Sequence, residues 1–116
     1  MKLWTAFKTS LVGISSVLIG AVCNAAVIQA NGGRMPVFDD VCMGYDGMPM
    51  DYLHACAQGA TRLAGLTDWI HIGAYIYSPG DGFLAAGQLL TVTAALVLLP
   101  WAWFTRKRAA KRASHW

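Results

Sequence analysis

Hydrophobic and polar positions are sorted along this chain by whole segments. One apolar stretch, Leu11–Ala30, reads LVGISSVLIGAVCNAAVIQA, and a second runs from Phe83 to Leu99 as FLAAGQLLTVTAALVLL. No Asp, Glu, Lys or Arg lies between Lys8 and Arg34, or between Asp81 and Arg106. A helix of about 20 apolar residues crosses a hydrocarbon core about 30 Å thick, so each stretch can hold a span. The pattern predicts an α-helical membrane protein, a two-span antiparallel hairpin with a partly helical outer loop. Its parts are an N-terminus at 1–10, a first span at 11–30, a loop at 31–77, a second span with its cap at 78–105, and a basic tail at 106–116.

The second span is well marked at both ends. Ser78, Pro79, Gly80 and Asp81 supply an N-cap, a proline for the first turn and an acid three residues after the cap. At the far end Pro100, Trp101, Trp103 and Phe104 place aromatic rings where a headgroup belt is expected, and RKRAAKR stops the span. The first span is open to two readings. A basic start, an apolar run to Val22 and the small residues Cys23, Asn24 and Ala25 suit a signal peptide cleaved before Ala26. The run continues through Ala26, Val27 and Ile28, which favours a retained helix. Val22 disfavours a lipid anchor on Cys23, since such sites need a very small residue before the cysteine.

Asn24 and Gln88 are polar residues inside the spans, each about six residues or roughly 9 Å from the outer helix end. At matching depth, they could hydrogen-bond to one another across an antiparallel pair, although membrane helices also carry such small and polar residues by chance. Small residues at Ser16, Gly20 and Asn24, and at Gly87, Thr91 and Ala95, offer surfaces for close approach.

Within the loop, Leu53, Ala57, Ala60, Leu63 and Leu66 fall at helical spacing and predict a short amphipathic helix over Asp51–Leu66. Asp68–Tyr77 mixes aromatic and β-branched residues and fits either a helix or an extended segment. Cys42 and Cys56 would form a disulfide in an oxidising outer compartment, leaving Cys23 unpaired. Met35, Met43, Met48, Met50 and His54 share the loop with those cysteines, and soft ligands of this kind suit Cu(I). Methionines in a loop that must cover apolar helix ends more often serve packing, and no metal or other cofactor is expected.

Composition and charge sharpen this picture. The chain is 56% hydrophobic and 13% charged, where soluble domains carry roughly a quarter charged residues. Six acids, Asp39, Asp40, Asp46, Asp51, Asp68 and Asp81, lie between the apolar stretches with only Arg34 and Arg62, a formal −4. Lys2, Lys8 and the tail cations flank them. Retention of Lys and Arg on the cytoplasmic side predicts both termini in the cytoplasm, the loop outside and residence in the inner (cytoplasmic) membrane of a bacterial cell. The net +3 does not imply nucleic acid as a partner, because most basic residues follow an apolar span, where anionic lipid accounts for them.

Three blocks, NAAVIQANGGRMPV at Asn24–Val37, TRLAGLTDWI at Thr61–Ile70 and YSPGDGFLAAG at Tyr77–Gly87, resemble the C-terminal part of a family of uncharacterised bacterial multi-span membrane proteins. The resemblance covers about half the chain and carries no activity. It groups Asn31, Gly32, Gly33, Arg34, Pro36, Arg62, Asp68 and Asp81 as one structural constellation. The two glycines can turn the chain off the first helix, and Pro36 restricts the backbone beyond them. Arg34 with Asp81 and Arg62 with Asp68 are the expected ion pairs.

No nucleotide loop, zinc-type spacing or nucleophile elbow occurs. The expected role is therefore non-enzymatic, with no catalytic residues: an accessory or structural subunit of a membrane complex, or a stand-alone envelope protein. The expected partners are the lipid bilayer and a membrane protein or a second copy of this chain. Alternatives are a phage- or plasmid-type envelope factor, holin-like or exclusion, and an enzyme or transporter fragment using Asp68 and Asp81 as an acid pair.

Overall fold

The computed structural model describes residues 3–42, 45 and 47–115; Lys2, Met43 and Asp46, which entered the charge and methionine patterns above, lie outside the described residues. Two helices are long and apolar enough to cross a membrane. The first, α1, is Leu3–Ala30. The second runs from Pro79 to Ala113 in three parts: α2 at Pro79–Thr93, a π-helical turn at Ala94–Leu98 and α3 at Leu99–Ala113. The basic tail continues the helix, without breaking it.

Proline explains the π-turn. Pro100 has no N–H for the carbonyl of Leu96, and its ring crowds that carbonyl. The wider turn before it absorbs the displacement, with the Leu99 N–H bonded to the Ala94 carbonyl five residues back.

Burial along the helices falls at seven-residue intervals. Ala6, Gly13, Gly20 and Val27 are buried on α1, and Gly80, Gly87 and Ala94 on the second helix. Seven residues is close to two helical turns, so within each unit these positions fall on one stripe of their helix, the seam on which the two helices of that unit meet. After Ala94 the next buried residue of the second helix is Ala102, eight residues on, because the π-turn adds one residue to the cycle.

The chain divides into two compact units. One comprises Met1–Val17 and Ala85–Trp116, the other Leu18–Leu84. In the first, a Cβ on Gly13 would stand 2.5 Å from Thr91 Oγ1 and 2.9 Å from the Gly87 carbonyl, so backbones touch where side chains are absent. The second helix continues 26 residues beyond Gly87, whereas α1 has ten before Gly13, so at 1.5 Å per residue α3 outruns α1 by roughly 24 Å.

In the second unit Gly20 packs on Gly80 and Leu84. Ten residues of α1 continue past this contact, roughly 15 Å, while α2 begins one residue before it. That extension carries the cap. α1 ends in a Schellman turn: the Gly33 N–H reaches the Ile28 carbonyl at 2.8 Å, with Gly32 in the left-handed region at φ 76°.

Strand β1, Met35–Val37, lies at the centre of the cap. It pairs in parallel with β2, His54–Cys56, and its other side is bridged by Asp68, whose N–H and carbonyl bond the Pro36 carbonyl and the Phe38 N–H. Met35, Val37, Cys42, Cys56, Ala57 and Thr67 are buried there. A disulfide joins Cys42 to Cys56.

The amphipathic helix expected over Asp51–Leu66 is not formed. Asp51 closes a tight turn by accepting the N–H groups of Leu53 and His54, and β2 follows directly. Pairing to β1 and the disulfide at Cys56 outweigh a helical pattern that Gly59 and Gly65 already weaken. Among the described residues of the loop, helical structure is confined to single turns at Asp40–Cys42 and Ala64–Leu66. Asp68–Tyr77 resolves as extended: β3, Ile70–Ile72, and β4, Tyr75–Tyr77, form a hairpin turning through Gly73, φ 60°.

Candidate functional site

Two polar clusters lie at the junction of the cap and the helix ends, both within the second unit. The first is built on the start of α2. Ser78 and Asp81 form a reciprocal capping box, with the Asp81 N–H donating to Ser78 Oγ at 3.1 Å and the Ser78 N–H donating to Asp81 Oδ2 at 3.0 Å. Asn24 of α1 joins it. Its Nδ2 donates to Asp81 Oδ1 at 2.9 Å and its Oδ1 accepts from Ser78 Oγ at 2.8 Å.

Asn24 therefore spends its amide on the cap of α2, and the expected bond to Gln88 is replaced. Gln88 follows Gly87 by one residue, which turns it about 100° off the seam to an exposed position. Equal depth was expected from the helix ends, but Gln88 adjoins Gly87, which packs on Gly13, eleven residues before Asn24 on α1.

The second cluster centres on His54. Asp51 Oδ1 accepts from His54 Nδ1 at 2.9 Å, and a carboxylate can only accept, so Nδ1 carries a proton. The opposite nitrogen, Nε2, faces Asp68 Oδ2 at 3.6 Å. Lone pairs would oppose one another across that gap unless a proton sits on His54 Nε2 or on Asp68. Asp68 is 5% exposed. Burial, and then the negative charge of Asp81, raise its pKa from 3.8 to about 6, while His54 pulls it down. Asp51 is held below the usual carboxylate range, chiefly by its bond to His54.

The remaining constellation residues act through the backbone. Asn31 Nδ2 donates to the Arg62 carbonyl and Asn31 Oδ1 accepts from the Arg62 N–H, both at 2.9 Å. This clamp precedes Leu63, whose φ of 53° is costly for a branched side chain. Arg34 Nε donates to the Asp51 carbonyl at 3.1 Å. In place of the pairs expected from sequence, Arg34 with Asp81 and Arg62 with Asp68, the structure sets Asp68 against His54 and gives the Asp81 carboxylate to Asn24 and Ser78. Pro36 presents its carbonyl to the Asp68 N–H. His54, absent from the constellation, was legible in the spacing Asp51-x-x-His54, which suits a turn closed by its own acid.

Among the described residues no group of three or more His, Cys, Asp or Glu has the arrangement to hold a metal ion. Met50 Sδ lies 3.9 Å from Cys42 Sγ, but that sulfur is engaged in the disulfide and His54 is engaged by Asp51. An open hollow of about 450 Å³ lies beside the disulfide, with Asp39 and Asp40 in its lining.

Comparison with known proteins places the chain without assigning it a role. No curated protein matches it, and no solved structure does. Residues 1–93 match a family description, ending one residue before the π-turn begins. On that match, which covers most of its length, the chain belongs to the Family of unknown function (DUF5317).

Proposed function

We propose that this chain is a small, non-enzymatic integral membrane protein that crosses the inner membrane twice, holds its cap outside and both termini in the cytoplasm, and serves as an accessory subunit of a larger membrane complex. One observation carries the reading. The helices bury a seam of small residues while Leu11, Leu18, Val22, Leu89, Val92 and Leu96 remain exposed. So broad an apolar surface needs lipid or another protein around it. The unequal helix ends favour a protein neighbour as well, since α3 and the outer part of α1 each extend past the other helix.

Purification in mild detergent through a tag on the cytoplasmic tail, with mass spectrometry of the intact chain and its companions, tests the reading. A stoichiometric membrane-protein companion supports it; a chain isolated alone points to the stand-alone envelope role, and abrupt leakage on induction to the holin-like one. The same intact mass reports whether α1 is retained.

A second reading has one observation in its favour. Burial and the neighbouring charge of Asp81 raise the Asp68 pKa to about 6, a perturbation of the kind found at catalytic acids. Asp81 is already committed to Ser78 and Asn24, which favours a structural carboxylate.

A further inference from the structure

The strongest concentration of one charge is at the end of α3. Arg106, Lys107, Arg108, Lys111 and Arg112 place five cations in seven residues, and no acid follows Asp81 in the chain. Two of these cations are folded onto aromatic rings one turn back. Lys107 Nζ lies 4.2 Å from the centroid of Trp103, and the Arg108 guanidinium 4.4 Å from that of Phe104. Long side chains on a helix lean toward its N-terminus, and on α3 that is the direction of the apolar stretch. The same lean on α1 carries Lys8 over Trp4, 5.3 Å from the ring, toward the helix start and away from its apolar stretch. A lysine at the edge of a span normally reaches away from hydrocarbon. Lys107 and Arg108 do the opposite and bring charge to the level of the rings.

Trp103, Phe104, Lys107, Arg108 and Lys111 line a shallow groove of about 480 Å³. It belongs to the part of α3 that outruns α1. Its occupant must set apolar surface against the rings and negative charge against the cations, and it must do so where tryptophans mark the membrane interface. A phospholipid with an anionic headgroup has those two parts in that order, with the phosphodiester at ring level. Arginine adds a planar fork that matches two phosphate oxygens.

We propose that this face of α3 is a binding site for an anionic phospholipid, its phosphate held by Lys107 and Arg108 with Lys111 one turn further on, and its acyl chains lying against Trp103 and Phe104. The proposal rests on the membrane reading above. Arg106 and Arg112 lie off this face, since each residue turns the helix about 100°. They supply a control that removes the same charge from the same tail.

The full chain would be reconstituted in bilayers of phosphatidylcholine and phosphatidylglycerol, and the lipids retained on it counted by native mass spectrometry. Wild type is expected to keep phosphatidylglycerol in preference. At about fivefold per cation near a membrane surface, Lys107→Gln with Arg108→Gln should reduce that preference by tenfold or more, while Arg106→Gln with Arg112→Gln leaves most of it. Equal losses in the two double variants would mean diffuse attraction and overturn the site. So would a wild-type chain that floats with vesicles yet shows no preference. A chain that floats with neither lipid overturns the membrane reading, and this proposal with it.

Discussion

Asn24 on the first helix donates to Asp81 at the first turn of the second, 2.9 Å apart and 57 residues distant in sequence. The same carboxylate accepts from the Ser78 N–H through its other oxygen, so helix capping and helix pairing share one side chain. An amide in an apolar stretch is costly unless satisfied. Here both its ends are satisfied by the neighbouring helix start.

Replacing Asn24 by Leu should therefore destabilise the helix pair by about 0.6 to 2 kcal/mol, the range for hydrogen bonds between membrane helices. Gln88→Leu should change stability by less than about 0.5 kcal/mol, because that side chain is exposed. Equilibrium unfolding in detergent measures both, and equal effects would contradict the assigned contacts.

Glycines at the seam should be intolerant of a single methyl group. A Cβ on Gly20 would lie 2.5 Å from the Gly80 carbonyl, and one on Gly87 2.5 Å from the Gly13 carbonyl, so Ala at either position must push backbone from backbone. A loss of about 1 to 3 kcal/mol is expected, as for overpacked cores. Gly82 meets nothing within 4 Å, and Gly82→Ala should stabilise α2 by up to about 1 kcal/mol through helix propensity. Thermal midpoints of the three variants give the comparison.

Acidification should strengthen the cap through Asp68. Its folded-state pKa, about 6, lies above the 3.8 of the free group, so its contribution is fully present below about 3.8 and is lost as pH rises through about 6. The full swing is on the order of 3 kcal/mol. Asp68→Asn should flatten that part of the stability profile and be at least as stable as wild type near pH 7.5. Parallel profiles for the two proteins, followed by denaturant midpoint against pH, would count against this account. Asp51 works in the other sense: its lowered pKa gives stability present above about 3.8 and lost at still lower pH.

Reduction of Cys42–Cys56 opens a loop with a sequence separation of 14 and should cost about 3 kcal/mol on the chain-entropy account. The cap should lose protection before the helices do, because β2 ends at Cys56 while the seam lies elsewhere. Hydrogen exchange with and without reductant would resolve the order, and simultaneous loss in both regions would refute it.

The two apolar helices and the Ser78–Asp81 start were legible because charge gaps and capping chemistry are local properties of a chain. The disulfide was legible too, from two cysteines in one polar loop. The strands of the cap were not. Residues 51–66 carry a helical spacing of apolar side chains, and the partner β1, the antiparallel bridge of Ala55 to Pro49 and the bond at Cys56 make His54–Cys56 extended. Charge pairing failed to read for a related reason. Opposite signs at one depth suggested Arg34 with Asp81, but α1 runs ten residues past the Gly20 contact at which α2 begins, and Asn24 takes the carboxylate.

The π-turn at Ala94–Leu98 amounts to a phase change written into the second helix. Residues before it keep time with the seven-residue beat of Gly80, Gly87 and Ala94; those after it run one step late, so Ala102 and not Trp101 is buried. Deleting a single residue within the turn would advance every ring and cation of α3 by about 100° while leaving their order intact. The facing of the whole tail is thus set at one joint of five residues.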